Sequence, residues 1–165
     1  MERIKVHFVH GLESSPSSRK ALLLKEYFDA ETPAMDTSNF QQCVDVHQAA
    51  LKRRVPDVLI GSSFGGAVVL ALLQRGLWQG PTLLLAPAMS HYDLEPVLPA
   101  EIPVLLVHAT LDDVVSVEDS RSIAQANSNA ELIEVDDDHA LSATVSRGEL
   151  VEWVKLLARR ASGTA

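Results

Sequence analysis

Short, wholly apolar runs alternate with segments of helical periodicity along the chain, and this alternation restricts the fold more than any other feature. Runs such as 83–85 and 104–107 contain no polar residue, as expected for strands covered on both faces of a sheet. Ala21, Leu24 and Phe28 recur at the spacing of one helix face. Strands separated by helices indicate βαβ units, which join parallel strands. The sequence therefore predicts an α/β fold, a three-layer α/β/α sandwich built on a mostly parallel sheet of about six strands.

The predicted elements follow one another without a dividing linker. The predicted strands are 4–9, 33–36, 58–60, 82–86, 104–107 and 131–135. The predicted helices begin after the capping serines of 14–18 and then cover 40–54, 67–77, 117–126 and a last amphipathic segment, 150–161. No stretch rich in Pro, Gly or Ser separates two parts of the chain, so residues 1–165 are expected to form a single domain.

The charge balance excludes one large class of partners. The 165 residues include 22 Asp and Glu against 14 Lys and Arg, for a net charge of −8. A surface of this sign repels phosphate backbones, so we expect no nucleic-acid partner. The one cysteine, Cys43, excludes an internal disulfide. No apolar stretch reaches the ~18 residues of a membrane span. The N-terminus runs straight into a strand pattern without a signal-peptide layout, so we expect a cytoplasmic protein with no membrane partner.

A G-x-S-x-G pattern follows the predicted strand 58–60. It reads Gly61-Ser62-Ser63-Phe64-Gly65, and an apolar helix follows it. A turn this tight from strand to helix leaves no room for side chains on either side of the serine, which explains the flanking glycines. Ser63 is the predicted nucleophile, since Ser62 has no glycine two residues beyond it. The alternative is a plain glycine-rich turn with a capping serine.

A serine nucleophile needs a base, and the base needs an acid to orient it. His139 follows the last predicted strand and has the position expected of the base. Asp112 and Asp113 follow the strand 104–107, and the residues alone do not separate these two carboxylates. Asp93 follows an earlier strand and is a more distant candidate.

The acidic run that ends at His139 has a second interpretation, as a metal cluster. Consecutive residues on a loop rarely all point at one ion, and the chain has neither an H-E-x-x-H motif nor a cysteine pair. We therefore expect no metal and no cofactor.

Acyl transfer also needs donors for the developing oxyanion. The backbone N–H groups of Leu12, after the first strand, and of Phe64, after the nucleophile, are the predicted donors. Met89, Leu111 and Leu141 lie beside the predicted catalytic loops and are candidates for lining a substrate site. Each of these three is equally consistent with ordinary core packing.

The chain resembles an α/β-hydrolase, and specifically the small, lidless YqiA-like esterases. The matching residues are His10-Gly11 with Ser14-Ser15-Pro16-x-Ser18-x-Lys20-Ala21, then Gly61-Ser62-Ser63-x-Gly65-Gly66, Ala86-Pro87-Ala88 and Asp138-His139-Ala140. The resemblance implies that Ser63 is the nucleophile and His139 the base. The segment from His108 to Asp112 looks like the acid loop of the wider superfamily, which favours Asp112 over Asp113, although Ala109 replaces the usual glycine.

The resemblance also implies a minimal fold without a cap domain, because the segment 89–102 is short. That shortness argues against interfacial activation of the lipase type. The expected protein is a serine hydrolase of the carboxylesterase type, which cleaves small, short-acyl esters or thioesters through a Ser-His-Asp triad and an acyl-enzyme intermediate. The alternative is a catalytically weak or inactive interaction module on the same fold, against which the intact serine, acid and histidine argue.

Overall fold

A computed structural model describes residues 2–12 and 14–161. Its centre is a six-stranded sheet in the order β2-β1-β3-β4-β5-β6, in which every neighbouring pair is parallel. The strands are β1 Lys5–Val9, β2 Asp29–Glu31, β3 Val58–Ser62, β4 Thr82–Leu85, β5 Val104–Ala109 and β6 Ala130–Val135. The helices are α1 Arg19–Tyr27, α2 Phe40–Arg53, α3 Phe64–Gln74, α4 Val117–Ala126, α5 Ser142–Ser146 and α6 Glu149–Ala161.

Side chains of each strand alternate between two apolar cores, one on each face of the sheet. Leu83 and Leu85 pack in the core that includes α1 and α6, whereas Leu84 packs in the core that includes α2, α3 and α4. Both faces are therefore covered, which explains why the central strands β3, β4 and β5 are largely apolar runs rather than alternating ones. The predicted three-layer fold with a parallel sheet is confirmed.

The strand order places a switch point between β1 and β3. From β1 the chain moves outward to β2, and it then returns past β1 and continues in the other direction from β3. Ligands of open parallel sheets bind beyond the carboxyl ends of the strands at such a point. Val9 at the end of β1 pairs with Gly61 in β3, so the loops that follow these two strands emerge side by side.

One predicted strand was wrong, and one helix was missed. The predicted strand 33–36 is not a strand; β2 lies at Asp29–Glu31 instead. As an edge strand it pairs on one side only and carries exposed and half-buried polar residues, so it lacks the apolar signal of the central strands. The missed helix, α5 Ser142–Ser146, is a single short turn-like segment.

The connection between β4 and β5 contains little regular structure. A short 3-10 turn at Ser90–Tyr92 is its one regular element within the described chain. This agrees with the expected absence of a cap domain. Among residues 2–12 and 14–161, no helix is both long and apolar enough to cross a bilayer.

Candidate active site

Ser63 stands on a strained turn between β3 and α3. Its backbone has φ 56° and ψ −115°, a left-handed φ that non-glycine residues rarely adopt. The Ser63 N–H donates to the carbonyl of Leu85 at 2.9 Å, and the Ser63 carbonyl accepts from the N–H of Ala88 at 3.0 Å. Backbone bonds to the neighbouring strand and its loop therefore fix the turn that presents this side chain.

The glycines of the G-x-S-x-G pattern are required by close packing of α3 on the sheet. A Cβ on Gly61 would lie 2.5 Å from the carbonyl oxygen of Gly65 and 2.6 Å from Val69 Cγ2. A Cβ on Gly65 would lie 2.6 Å from the carbonyl oxygen of His10 and would overlap the backbone of Val9. Neither position can hold a larger side chain unless backbone moves.

His139 and Asp112 complete a hydrogen-bond chain that begins at Ser63. His139 Nε2 lies 3.1 Å from Ser63 Oγ, and His139 Nδ1 lies 2.6 Å from Asp112 Oδ2. A carboxylate only accepts hydrogen bonds, so Nδ1 carries the proton and Nε2 is left as the acceptor for the Ser63 hydroxyl. His139 is thus in the tautomer that can take a proton from the hydroxyl of Ser63.

The Asp112 side chain is fully buried and strongly held. Its Oδ1 accepts from the N–H groups of Val114 and Val115, both at 2.8 Å. Burial raises the pKa of Asp112, but the hydrogen bond from His139 and those from Val115 and Val114 outweigh it and bring the pKa below its ordinary 3.8. The carboxylate is therefore kept ionised beside His139. Asp113 is exposed and has no bond to His139.

A second histidine, His108, contacts the carboxylate of Asp112. It is fully buried at the end of β5, and its Nε2 lies 2.9 Å from the carbonyl of Val115 and 3.3 Å from Asp112 Oδ2. Both are acceptors, so Nε2 carries the proton and Nδ1 accepts from the Ser120 hydroxyl at 2.7 Å. The sequence analysis gave His108 no role beyond its place at the start of the segment that resembles the acid loop. The available signal was its position four residues before Asp112, across a tight loop.

The two predicted oxyanion donors belong to two different segments, the loop after β1 and the start of α3. Phe64 begins α3, where the first amides of a helix have no partner within it. Gly11 approaches from the loop after β1: a Cβ built on it would lie 3.5 Å from Ser63 Cβ. Leu12, the next residue, lines the same cavity as Ser63. The backbone of both loops therefore borders the space in front of the serine.

A cavity of about 610 Å³ opens beside Ser63 and His139, within the range of small-molecule sites. Of the three residues predicted to line a substrate site, none lines it. Met89 and Leu141 are buried in the two apolar cores, and Leu111 is 79% exposed. The structure does not bring these three together with the serine.

Besides Leu12, Ser63 and His139, the cavity is bordered by residues to which the sequence analysis gave no role. Its far wall comes from the start of α1 and from the segment after His139, and it includes Arg19, Lys20 and Ser142. Lys20 Nζ donates to the carbonyl of Ala140 at 2.6 Å. The sequence carried a signal for this wall in the two cations that directly follow the capping Ser18. Within the described ranges there is no cluster of three or more His, Cys, Asp or Glu side chains that could hold a metal ion.

The comparisons with known proteins agree with this architecture. A protein from Xanthomonas campestris pv. campestris, described as a hydrolase of the alpha/beta superfamily, has a similar structure, with TM-score 0.73, 25% identity and 99% of each chain covered. The esterase domain of a Rhodothermus marinus protein has TM-score 0.70 and 21% identity over 95% of this chain and 86% of its own. Mouse alpha/beta hydrolase domain-containing protein 10 has TM-score 0.79 and 15% identity over 94% of this chain and 90% of its own.

Comparison with curated protein sequences found no match. The model of a protein family, described as the uncharacterised protein family UPF0227, matches residues 5–101, which is more than half of the chain. The match covers β1 to the connection before β5, and thus includes the loop after β1 and the turn at Ser63. Together with the fold, it shows that the chain belongs to UPF0227 and is a small member of the α/β-hydrolase superfamily.

Proposed function

We propose that the protein is a serine hydrolase of the carboxylesterase type, with Ser63 as nucleophile, His139 as general base and Asp112 as the acid that orients it. The observation that carries this proposal is the unbroken chain of hydrogen bonds from Ser63 Oγ through His139 to Asp112 Oδ2. The strained turn, the switch-point location and the adjoining cavity all support it. The similar esterase domain of Rhodothermus marinus is consistent with it.

The geometry supports a two-step acyl transfer. Ser63 Oγ bonds to the acyl carbon while its proton passes to His139 Nε2, and the backbone N–H groups of Leu12 and Phe64 hold the oxyanion. The bond from the acyl carbon to the leaving oxygen or sulfur then breaks, and the leaving atom takes the proton from His139. Water reverses the sequence: it gives a proton to His139, bonds to the acyl carbon and releases Ser63 with its proton restored.

The substrate is expected to be a small ester or thioester with a short acyl group. The cavity lining includes polar and charged side chains of α1 and of the segment after His139, so a long apolar chain would have to displace water from them. With a series of 4-nitrophenyl esters from acetate to octanoate, we expect kcat/KM to fall as the acyl chain lengthens. A higher kcat/KM for the octanoate would contradict this specificity.

A fluorophosphonate probe tests the proposed chemistry directly. An activated serine displaces fluoride from phosphorus and keeps the phosphonyl group, which peptide mass spectrometry can locate. We expect one adduct per chain on Ser63, none on the adjacent Ser62, and no labelling of Ser63→Ala. A well-folded sample without an adduct would overturn the hydrolase proposal in favour of an interaction module.

A further inference from the structure

Two cations stand at the start of α1, in the wall of the candidate active site. Arg19 and Lys20 are the first two residues of the helix, directly after the capping Ser18. Both side chains line the cavity that also contains Ser63 and His139. The ammonium of Lys20 bonds to the carbonyl of Ala140, the residue that follows His139. The positive charge of Lys20 therefore contacts the backbone of the residue next to the proposed base.

The protein oxygens bound to these cations are uncharged. Lys20 Nζ donates to the Ala140 carbonyl at 2.6 Å, and Arg19 donates to the Ser142 carbonyl at 3.3 Å and to the hydroxyl of Ser146. Within residues 2–12 and 14–161, no carboxylate oxygen forms an ion pair with either side chain. In a chain with a net charge of −8, two cavity cations without a carboxylate partner among the described residues are an unusual feature.

Two acidic side chains that act electrostatically on Lys20, those of Asp138 and Asp137, are hydrogen-bonded elsewhere. Asp138 accepts from the N–H of Ser142 at 3.0 Å and from its hydroxyl at 2.9 Å. Asp137 accepts from the N–H groups of Thr144 at 2.8 Å and of Ala143 at 3.3 Å. Both carboxylates therefore cap the start of α5. They act on Lys20 from a distance and do not neutralise it by contact.

The position of the two cations is unfavourable for the helix itself. The N-terminus of a helix carries partial positive charge, and α1 has no acidic residue in its first turn. Burial lowers the pKa of Lys20 below its ordinary 10.5, an effect that Asp138 partly offsets. The helix dipole and the side chains of Arg19 and Lys20 thus all contribute positive potential to the cavity. A bound anion would reduce the repulsion between them.

The geometry points to an anion subsite formed by Arg19 and Lys20, so that the preferred substrates are esters whose acyl or alcohol part carries a carboxylate. This inference rests on the proposed hydrolase function and names its substrate class. An ammonium has three donors, of which the Ala140 carbonyl takes one. Two remain for the substrate carboxylate, and Arg19 lines the same cavity.

The test compares esters that differ only in charge. One pair is mono(4-nitrophenyl) glutarate and its neutral methyl ester, which places the carboxylate on the acyl side. The other pair is 4-acetoxybenzoate and its methyl ester, which places it on the alcohol side. We expect the wild type to favour the anion of at least one pair by roughly ten- to a hundredfold in kcat/KM, as for a charge-assisted hydrogen bond. This preference should shrink as salt is added.

Substitutions assign the preference to the cations. Lys20→Met should lower the ratio of anionic to neutral kcat/KM towards one, Lys20→Arg should keep most of it, and Arg19→Gln should lower it in part. Lys25→Met is the matched control, because Lys25 is an exposed lysine in the last turn of the same helix. It should leave the ratio unchanged.

Each other outcome overturns the inference. If Lys20 served only to position His139 through Ala140, Lys20→Met would lower kcat/KM equally for both members of a pair and keep their ratio. Hydrolysis of the neutral esters without an anionic preference in the wild type, a result that needs no variant, would overturn the subsite and leave the hydrolase proposal intact. Absence of both hydrolysis and fluorophosphonate labelling would overturn the two together.

Discussion

Two histidine systems in this molecule have nearly the same hydrogen-bond length but very different surroundings. At the candidate active site, His139 Nδ1 lies 2.6 Å from Asp112 Oδ2. Between β1 and α2, His7 Nε2 lies 2.7 Å from His47 Nδ1. The His139 side chain is 22% exposed and stands on a loop beyond the sheet, whereas His7 and His47 are 0% exposed and lie within their strand and helix.

The buried pair is arranged for two neutral rings. His47 Nε2 contacts Met35 Sδ at 3.2 Å, and a thioether can only accept, so this nitrogen carries the proton. His47 Nδ1 is then the acceptor, and His7 Nε2 is the donor. His7 Nδ1 is left buried without a hydrogen-bond partner among the described residues. A further proton on either ring would meet a donor or no partner at all.

The charge of the partner separates the two systems. The carboxylate of Asp112 can stabilise an imidazolium by its negative charge, whereas a neutral imidazole and a thioether have no charge with which to do so. Burial is the main reason that the pKa of His7 falls to about 4 and that of His47 to about 3. A short hydrogen bond is therefore no mark of a catalytic histidine; the bonded acceptor and the position at a strand end are more informative.

Replacement of His139 should have the largest effect on activity. His139→Gln removes the base that takes the proton of Ser63, and we expect kcat for a neutral 4-nitrophenyl ester to fall by roughly 10⁴- to 10⁶-fold. Because the side chain is partly exposed, the free energy of unfolding should change by only about 1 kcal/mol. Urea unfolding and steady-state kinetics measure both. His47→Gln, at the buried pair, should show the opposite behaviour: lower stability with kcat near that of the wild type. Equal losses of kcat in His139→Gln and His47→Gln would contradict the distinction between a catalytic and a structural histidine.

Replacement of Asp112 should have the next largest effect. In Asp112→Asn the side chain no longer offers a charge to the imidazolium, and its amide can donate and favour the wrong tautomer of His139. We expect kcat to fall by about 10³- to 10⁴-fold. Asp113→Asn is the matched control, since it removes the same charge from an exposed neighbour and should leave kcat within about twofold. A large loss of kcat in Asp113→Asn would mean that Asp113, and not Asp112, is the acid.

Sequence reasoning located the central strands β3, β4 and β5 well because these strands are buried on both faces and are largely apolar. Ser63 and Asp112 follow the central strands β3 and β5, and His139 follows the edge strand β6, so their proximity in the structure follows from the common carboxyl edge of a parallel sheet. The choice between Asp112 and Asp113 did not follow from composition or spacing. It depends on a loop in which two backbone N–H groups hold the Asp112 carboxylate inward, and a loop conformation of this kind is not encoded in a periodic pattern.

The cavity wall was harder to predict for a different reason. Lys20 comes to the site because α1 packs against the segment after His139, a contact across 120 positions of sequence. Local patterns mark the two cations that follow Ser18, but they contain no information on the segment against which α1 packs. Met89 and Leu141 are close in sequence to catalytic loops, but their apolar side chains gain more from burial in the cores than from lining an open cavity.

The smallest expected effect concerns stability at acid pH, and it tests the buried pair. The folded-state pKa of His7, about 4, lies below the ordinary 6.5, so the unfolded chain binds more protons than the folded one between these values. The stability that the neutral ring contributes is complete above pH 6.5 and is lost as pH falls through about 4. For one histidine with this shift the loss amounts to about 3 kcal/mol in the free energy of unfolding.

Urea unfolding at about pH 7.5 and about pH 4.5, on either side of the ordinary histidine pKa, measures this loss in the wild type, in His47→Gln and in His91→Gln. The amide introduced by His47→Gln cannot take up a proton, and it leaves His7 as the one titrating ring of the pair, so we expect a smaller acid-induced loss of stability than in the wild type. His91 is exposed on the 3-10 turn, and its replacement should keep the wild-type slope. Carboxylates that titrate in this range contribute alike to all three proteins and cancel in the comparison. Identical slopes for the wild type and His47→Gln would mean that the buried pair does not resist protonation, and the contrast with His139 would then rest on position alone.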